Sequence, residues 1–293
     1  MGLLDKVQGI SLQEAEKDID KIDFKPNESF KSSILDLELV YERPPLAVSI
    51  GLDDKEYNGI HYPLRFGTFG NISLIIGEEK TRKSFLKSLL LGCSIGGNSN
   101  LYTNGLDIRG HNLEDKYIID ADTEQDTYDV WLASKRIPEM VGAVPENYIP
   151  LELRKYTPKE RLQILEWLFM ESEYRNKLGL VSIDGYVDCL KNFNDQEESS
   201  EFTQKLMKWS SLTKSHITGV LHLNPNSDKA RGHLGTILGQ KCETVLIIKD
   251  EGKHSLVQCK KSRGKKFNDF CITVNDRWLP EIIDNPDGDD WTN

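Results

Sequence analysis

Residues 72–91 of the chain read I-S-L-I-I-G-E-E-K-T-R-K-S-F-L-K-S-L-L-L. An apolar run of strand length is followed by a polar loop that begins at Gly77. A segment with helical spacing comes next and carries Lys83 and Ser84 at its start. Backbone N–H groups at the start of a helix, with a lysine and a serine hydroxyl, are suited to bind phosphate groups and Mg²⁺. The stretch therefore predicts a phosphate loop.

The predicted loop departs from G-x-x-x-x-G-K-[ST] at one position, because Arg82 stands where the second glycine is expected. A side chain there crowds a loop that often requires positive φ, although Arg82 can bring a further cation to the phosphates. The alternative interpretation is a chance G-x5-K-S between a strand and a helix. The predicted phosphate-binding residues are Gly77, Glu78, Glu79, Lys80, Thr81, Arg82, Lys83, Ser84 and Phe85.

The composition limits the class of protein. A chain of 293 residues with 38% hydrophobic residues can bury a sizeable core, so we expect a globular protein. The opening stretch lacks the pattern of a secretion signal and no apolar run is long enough to cross a bilayer, so we expect a cytoplasmic protein without a membrane partner. A net charge of -10 argues against nucleic-acid binding by the whole surface. The segment 253–266 carries six Lys or Arg and no acid, and leaves room for a local basic surface.

From residue 70 onward, short apolar runs alternate with longer helical segments, which predicts an α/β fold with a mostly parallel twisted sheet covered by helices on both faces. Alternating residues in 255–261 and 270–274 predict an antiparallel extension at the C-terminal side. We predict an N-terminal helical arm over residues 1–45, with an amphipathic helix at 11–22, and a core over residues 46–278. An acidic tail over residues 279–293 is expected to be loosely held after Pro280.

Acidic side chains follow the predicted strand that ends the stretch Y-I-I-D-A-D-T-E-Q-D at residues 117–126. Asp120, Asp122 and Glu124 would lie at the carboxyl edge of the sheet, where open α/β sheets bind ligands. A carboxylate there can deprotonate an attacking water, and we favour Glu124 for this role. The alternative is a capping cluster for the next helix, and this is the better interpretation for Asp126.

Two further predicted strands end in polar residues. L-V-S-I-D-G at residues 180–185 places Asp184 where it can support Mg²⁺, although Asp-Gly is also an ordinary turn. G-V-L-H-L-N at 219–224 places His222 and Asn224 where they can bond a γ-phosphate and report its loss to the turn-rich segment 225–235. The alternative for His222 is a packed polar side chain.

Lys261 and Arg263 share one face of a predicted edge strand, because side chains alternate along a strand. Two cations there can reach a neighbouring subunit and stabilise charge on its transferring phosphoryl group. The alternative is a lysine-rich edge that resists aggregation.

These motifs together resemble the RecA-like hexameric helicase ATPases, in particular the RepA-like and DnaB-like branch of plasmids, phages and mobile elements. The resemblance covers about residues 44–275. It rests on G-E-E-K-T-R-K-S, D-A-D-T-E-Q, L-V-S-I-D-G, L-H-L-N, A-R-G-H-L-G-T and K-S-R. It implies a RecA-like P-loop NTPase core, ATP and Mg²⁺ as cofactors, a homo-oligomeric and hexameric ring, and single-stranded DNA with element-encoded proteins as partners.

The resemblance also implies roles for single residues. Lys83 and Ser84 would bind phosphate, with Ser84 and Asp184 supporting the metal. The catalytic residues would be Glu124, Lys83, the γ-phosphate sensor His222 and, acting in trans, Lys261 and Arg263. Arg231, in R-G-H-L-G-T, would lie near the central loops of the ring as a DNA contact or a second finger.

The leading hypothesis is an ATP-hydrolysing motor or loader acting on DNA in replication or mobilisation of a genetic element. A second hypothesis is a nucleotide-switched assembly or regulatory protein that hydrolyses ATP weakly and recruits partners to DNA. The departure at Arg82, the acidic tail and the arm motivate it. A small-molecule kinase is a third interpretation, and it has less support because no lid or acceptor-site pattern stands out.

Overall fold

The computed structural model describes residues 24–96, 101–224 and 227–286. The chain divides into two compact units, Met1–Arg43 and Pro44–Asn293. In the first unit, the described part contains helix α1 (Pro26–Ser32), which begins with a proline and has no buried residues. The amphipathic helix predicted over residues 11–22 lies outside the described residues. The domain boundaries predicted at residues 45/46 and 278/279 stay predictions.

The second unit alternates strands and helices. The strands are β1 (Leu46–Tyr57), β2 (Ile60–Thr68), β3 (Ile72–Gly77), β4 (Ile108–Gly110), β5 (Tyr117–Asp122), β6 (Tyr148–Glu152), β7 (Leu178–Asp184), β8 (His216–His222), β9 (Thr244–Asp250), β10 (Ser255–Ser262), β11 (Phe270–Val274) and β12 (Pro280–Ile283). The helices are α2 (Lys83–Ile95), α3 (Thr127–Val141), α4 (Pro158–Met170), α5 (Gln196–Thr213) and α6 (Gly232–Lys241), with short 3₁₀ turns at Arg175–Lys177 and Tyr186–Cys189.

The main sheet has nine strands in the order β12-β11-β10-β9-β3-β8-β7-β5-β6. The six strands from β9 to β6 pair in parallel. The last three strands of the chain extend this sheet in antiparallel pairing. The predicted fold class, a mostly parallel sheet with an antiparallel C-terminal extension, is therefore confirmed.

Both faces of the sheet are covered. Ile75 of β3 packs in one apolar cluster with Leu89 of α2, whereas Leu74 packs in a second cluster with Leu165 of α4 and Leu206 of α5. Neighbouring residues of one strand thus enter opposite cores, because side chains alternate across a strand. This explains why β3 is a continuous apolar run, which is typical of a central parallel strand.

A smaller antiparallel sheet has the order β2-β1-β4. Strands β1 and β2 are joined at Asn58 and Gly59, which both have positive φ, at 54° and 78°. This combination is typical of a tight hairpin whose twist matches that of its strands. The buried residues of β1 lie in its first half, from Ala47 to Gly51.

Several elements, among them β6, α6 and β12, differ from the sequence-based prediction. Strand β6 was not predicted, and it contains Pro150, which an edge strand tolerates. Helix α6 begins at Gly232 inside the segment predicted as a turn-rich loop, because Leu234 and Leu238 lie one turn apart and are both buried. The prediction of a loosely held chain after Pro280 is wrong for Pro280–Ile283, which pairs with β11.

Candidate phosphate-binding site

The loop between β3 and α2 has the backbone geometry of an anion-binding site. A Cβ on Gly77 would lie 2.6 Å from both Ile248 Cγ2 and Thr81 Oγ1, so only glycine fits where β3 ends. Lys80 and Arg82 are left-handed, with φ of 62° and 66°, which confirms the positive φ expected at Arg82. Left-handed residues alternating with right-handed ones turn successive N–H groups toward one point. That point lies at the start of α2, where the helix dipole favours an anion.

Lys83 is the first residue of α2 and its side chain lies over this loop. The residue is 7% exposed, and its Nζ donates a hydrogen bond to the carbonyl of Glu78 at 2.5 Å. Burial lowers the pKa of Lys83, and attraction to carboxylates, first Asp184 and then Glu124, opposes this. The ammonium group is thus held between the loop and the two acids that the sequence singled out.

The side chain of Arg82 turns away from the loop. Its guanidinium bonds the Asp250 carboxylate at 2.6 Å, Ser255 Oγ at 2.9 Å and the Gly252 carbonyl at 2.7 Å, all on the turn between β9 and β10. These partners hold the cation beside the turn and anchor the loop to the antiparallel extension. Arg82 also lines the cleft, and its expected contact with the phosphates stays a prediction.

The carboxyl ends of the parallel strands meet at the loop. In the registers, Gly77 pairs with His222, and Asp122 pairs with Asp184. Thr123 joins two of these ends, because its N–H donates to the Asp184 carbonyl at 2.6 Å and its hydroxyl contacts the same carbonyl at 3.1 Å. The sequence analysis did not single out Thr123, since nothing local marks a threonine that bridges two strands.

Asp122 holds the segment that carries Glu124. Its Oδ1 accepts from the N–H groups of Glu124 and Gln125 at 3.0 and 2.8 Å, and its Oδ2 accepts from Gln125 Nε2 at 2.8 Å. Burial raises the pKa of Asp122, and attraction to Lys87 opposes this. Asp126 accepts from the first N–H groups of α3, so its predicted capping role is confirmed. Asp122 therefore acts on Glu124 through the backbone.

Glu124 and His222 face each other across the cleft. Oε2 of Glu124 lies 3.9 Å from Nε2 of His222, and the glutamate side chain is 61% exposed. The interaction with His222 lowers the pKa of Glu124, and partial burial opposes this. Glu124 is thus a carboxylate with access to solvent, as a base that acts on water requires.

A second buried cation, Lys87, lies one helical turn after Lys83. Its Nζ is 3.0 Å from Asp120 Oδ1 and 3.3 Å from Asp184 Oδ2. Burial alone would lower the pKa of Lys87, but attraction to Asp120, Asp184 and Asp122 outweighs burial and raises it. The sequence holds a signal for this cation, because a lysine within the apolar run F-L-K-S-L-L-L requires a buried partner.

These residues enclose a cleft of about 350 Å³. The cleft brings together the phosphate loop, Asp184, Glu124 and His222, which were all predicted, and adds Gln125 and Arg136, which were not. Arg136 lies over the Phe85 ring at 3.8 Å from its centroid. No local pattern on α3 marks it. The lining residues are Lys80, Thr81, Arg82, Lys83, Ser84, Phe85, Glu124, Gln125, Arg136, Asp184 and His222. The side chains of Glu78 and Glu79 are exposed.

Lys261 and Arg263 lie elsewhere. Lys261 pairs with Val245, near the beginning of β9. It therefore lies near the amino ends of the parallel strands, whereas the phosphate loop lies at their carboxyl ends. Lys261 Nζ donates to the carbonyls of Gly239 and Gln240 at 2.8 Å, and Arg263 donates to that of Lys241 at 2.9 Å. Both cations cap the C-terminal end of α6. A role in trans needs a second subunit, so it stays a prediction.

Arg231 precedes helix α6 and is exposed. Its guanidinium lies 5.1 Å from the centroid of the Phe193 ring. Its N–H donates to the carbonyl of His222 at 2.9 Å, so the backbone of the predicted phosphate sensor is joined to the start of α6. Its predicted role as a DNA contact or second finger stays open.

A larger hollow of about 780 Å³ lies beside the edge strand β6 and helix α4. Tyr156, Ile164 and Trp167 contribute to its lining, and no residue of the phosphate loop does. It is larger than the cleft, and the one cation in its lining, Lys155, is paired with Glu152 at 3.2 Å.

The residues at the cleft fit a magnesium ion that arrives with phosphates. Ser84 and Asp184 both line the cleft and offer a hydroxyl and a carboxylate, which are the oxygen ligands that Mg²⁺ prefers. Residues 24–96, 101–224 and 227–286 contain no group of three or more His, Cys, Asp or Glu that could hold a metal alone. A Mg²⁺ ion here would therefore depend on phosphate oxygens for the rest of its ligands, as is common for this ion.

Comparison with known proteins supports the fold. The chain is similar to a crystal structure of the RadB recombinase, with a TM-score of 0.51 and 14% identity over 74% of this chain and 92% of that chain. No protein-family model matches the sequence, and no curated protein matches it. Within the described residues, none of the helices has both the length and the apolar character needed to cross a membrane. The chain has a RecA-like α/β fold.

Proposed function

We propose that the protein is a magnesium-dependent ATPase with a RecA-like core. The observation that carries this proposal is the single cleft that holds the Lys83 loop, Asp184, Glu124 and His222 together. Its volume of about 350 Å³ is within the usual range for ligand sites. The four groups come from the carboxyl ends of four neighbouring strands, where open α/β sheets bind ligands.

Each side chain has a role that its position supports. The N–H groups of the loop and the Lys83 ammonium would bind the β- and γ-phosphates. Ser84 and Asp184 would hold Mg²⁺, which supplies charge neutralisation to the triphosphate when bound. Glu124 would orient an attacking water and accept its proton, because it is the exposed, ionised carboxylate at the mouth of the cleft.

His222 would report the state of the γ-phosphate. It ends β8 beside Gly77, and its Nδ1 is buried without a hydrogen bond among the described residues. The Arg231 N–H bonds its carbonyl, so a shift of His222 would move the beginning of α6. This contact gives the proposed ATPase a route from the phosphates to the surface that carries Arg231.

We further propose that the ATPase acts on single-stranded DNA in the cytoplasm as a ring, with a hexamer as the expected form. Replication or mobilisation of a genetic element, with partners encoded by that element, is the proposed setting. The similarity of the fold to that of the RadB recombinase supports a DNA substrate. The net charge of -10 restricts DNA contact to a local surface, and Arg231 is our candidate there. In the basic segment, Lys261, Arg263 and Lys265 already bond acceptors of this chain.

A nucleotide-switched assembly protein with weak hydrolysis is the second candidate. The observation in its favour is the Lys87 ammonium, which lies 3.3 Å from the carboxylate proposed to support the metal. Partial neutralisation of Asp184 would reduce turnover while leaving nucleotide binding intact. Nucleotide-dependent assembly with negligible turnover would favour this candidate.

The test is hydrolysis of ATP with and without single-stranded DNA by the wild type, Lys83→Ala and Glu124→Gln. We expect DNA to stimulate the wild type. Lys83→Ala should abolish hydrolysis, because it removes the ammonium group that bonds the phosphates, and hydrogen bonds to charged groups are the strong ones. Glu124→Gln should bind ATP normally and lose at least about 100-fold in hydrolysis, since a general base contributes that much.

Lys208→Ala is the matched control, because it removes an exposed lysine of α5 outside the cleft. It should hydrolyse ATP at the wild-type rate. Hydrolysis that survives Lys83→Ala unchanged would show that the assigned loop is wrong. Appearance of a phosphorylated small molecule in place of free phosphate would indicate a kinase.

A further inference from the structure

Lys87 has no place in the proposed reaction, yet it lies directly behind the cleft. It follows Lys83 by four residues on α2, so the two side chains share one face of the helix. Its side chain is 4% exposed, and the two carboxylates that it contacts are each 9% exposed. It is absent from the lining of the cleft, and its ammonium group contacts Asp120 and Asp184.

The two carboxylates are held in different ways. Asp120 is held at both oxygens, because Oδ1 lies 3.0 Å from Lys87 Nζ and Oδ2 accepts from the Tyr148 hydroxyl at 2.9 Å. Asp184 is contacted at Oδ2, which lies 3.3 Å from Lys87 Nζ, and neither this oxygen nor Asp120 Oδ1 accepts a hydrogen bond from the described residues. Asp120 thus forms the closed side of the cluster and Asp184 the side that faces the cleft.

The charges of the cluster also divide in this way. Asp120, Asp122 and Asp184 carry three negative charges if ionised, and Lys87 carries one positive charge. The closer contact is to Asp120, which does not line the cleft, so Asp184 shares the ammonium group with a carboxylate outside the cleft. The contact with Lys87 gives Asp184 a fixed orientation.

We propose that Lys87 is a positioning residue that grips Asp184 by Oδ2 and leaves the other carboxylate oxygen directed into the cleft to support Mg²⁺. This inference rests on the proposed function, because the metal enters with the nucleotide. Asp120 and Tyr148 complete the arrangement by fixing the ammonium group. Outer partners of this kind orient metal-supporting groups and commonly change metal affinity 10- to 100-fold when removed.

The test variant is the double substitution Lys87→Met with Asp120→Asn. It removes one positive and one negative charge, so the net charge of the cluster is unchanged, and it avoids the unpaired buried charge that Lys87→Met alone would leave. Tyr148→Phe is the matched control, because it loosens the same cluster but leaves Lys87 against Asp184. Asp184→Asn is the positive control, and thermal unfolding checks that each variant folds.

The measurement is the dissociation constant of a fluorescent ATP analogue in EDTA and in saturating Mg²⁺. The ratio of the two constants is the metal-dependent gain in affinity. We expect the double variant to keep the wild-type constant in EDTA and to lose about 10-fold or more of the gain. Tyr148→Phe should keep most of the gain. Adding the double substitution to Asp184→Asn should cause no further loss, because Lys87 acts through Asp184.

Two results would overturn the inference. One is a folded double variant whose metal-dependent gain equals that of the wild type, even if its melting temperature falls, since this would leave Lys87 a purely structural role. The other is losses that multiply when Asp184→Asn is added, which would show independent action. A wild type that binds no analogue in either buffer would refute the proposed function itself, and with it this inference.

Discussion

Arg82 adopts a conformation that glycine adopts without strain, with φ 66° and ψ 27°. For a residue with a Cβ, left-handed backbone costs about 1–2 kcal/mol. The guanidinium offsets this cost through its bonds to Asp250, Ser255 and the carbonyl of Gly252. The position thus combines the backbone demand of a phosphate loop with an anchor that glycine cannot supply.

This balance predicts the effect of two substitutions at residue 82. Arg82→Ala keeps the strained backbone and loses the anchor, whereas Arg82→Gly loses the anchor and relieves the strain. We expect both variants to be less stable than the wild type, with the alanine variant about 1 kcal/mol below the glycine variant. The free energy of unfolding in urea measures the difference. Equal stabilities would contradict the proposed strain.

Nucleotide affinity provides the control for this pair. The Arg82 side chain points to the β9–β10 turn, so both variants should bind the ATP analogue within a few-fold of the wild type. A large loss of affinity common to both would restore Arg82 as a phosphate ligand.

At the scale of elements, strand β12 (P-E-I-I) extends the main sheet although it lies in an acidic part of the sequence. Leu279, Pro280 and Ile282 are buried there, with Leu279 and Ile282 at 2% and 8% exposure. The surrounding acids suggested a loosely held tail. The strand forms because its backbone completes the hydrogen bonds of β11, a partner that no local pattern reveals.

Leu279→Ala should therefore destabilise the protein by about 2–3 kcal/mol, because it empties a buried site. Trp278→Ala is the matched control, since that neighbouring side chain is 72% exposed and should change stability by about 0.5 kcal/mol or less. Urea unfolding measures both. Equal effects of the two substitutions would mean that β12 is not packed on the core in solution.

At the scale of the whole molecule, the phosphate cleft lies at the carboxyl ends of the parallel strands, and the pair Lys261 and Arg263 lies toward their amino ends. A single chain cannot bring them together, but a ring of identical subunits can place one edge of a subunit against the other edge of its neighbour. The predicted trans role therefore requires assembly.

Mixing two inactive variants tests this arrangement. Lys83→Ala subunits keep the cations, and Arg263→Ala subunits keep the phosphate loop. In an equal mixture, about one quarter of the interfaces should join an intact loop to intact cations. The mixture should therefore regain about one quarter of wild-type hydrolysis. Lys260→Ala, a neighbouring cation on β10, is the control and should be fully active alone. A mixture that regains nothing, although both variants fold and assemble, would refute a shared site.

The strand–loop–helix order, the parallel core and the acids at strand ends were all predictable from the sequence. Each depends on short-range patterns: the apolar run of β3, the start of α2, and carboxylates that follow an apolar strand. Because parallel strands end at one sheet edge, these local patterns also predicted that Lys83, Asp184, Glu124 and His222 would meet.

Tertiary structure alone decided the direction of the Arg82 side chain and the partners of Lys87. It also decided that β6 pairs with β5 and that β12 pairs with β11. Arg82 bonds residues about 170 positions later in the chain, and Lys87 meets carboxylates from two separate strands. Burial of a charge becomes tolerable only when distant segments supply its counter-charge. The sequence by itself thus determined which chemical groups gather at the cleft, and the packed fold determined which of them face the ligand.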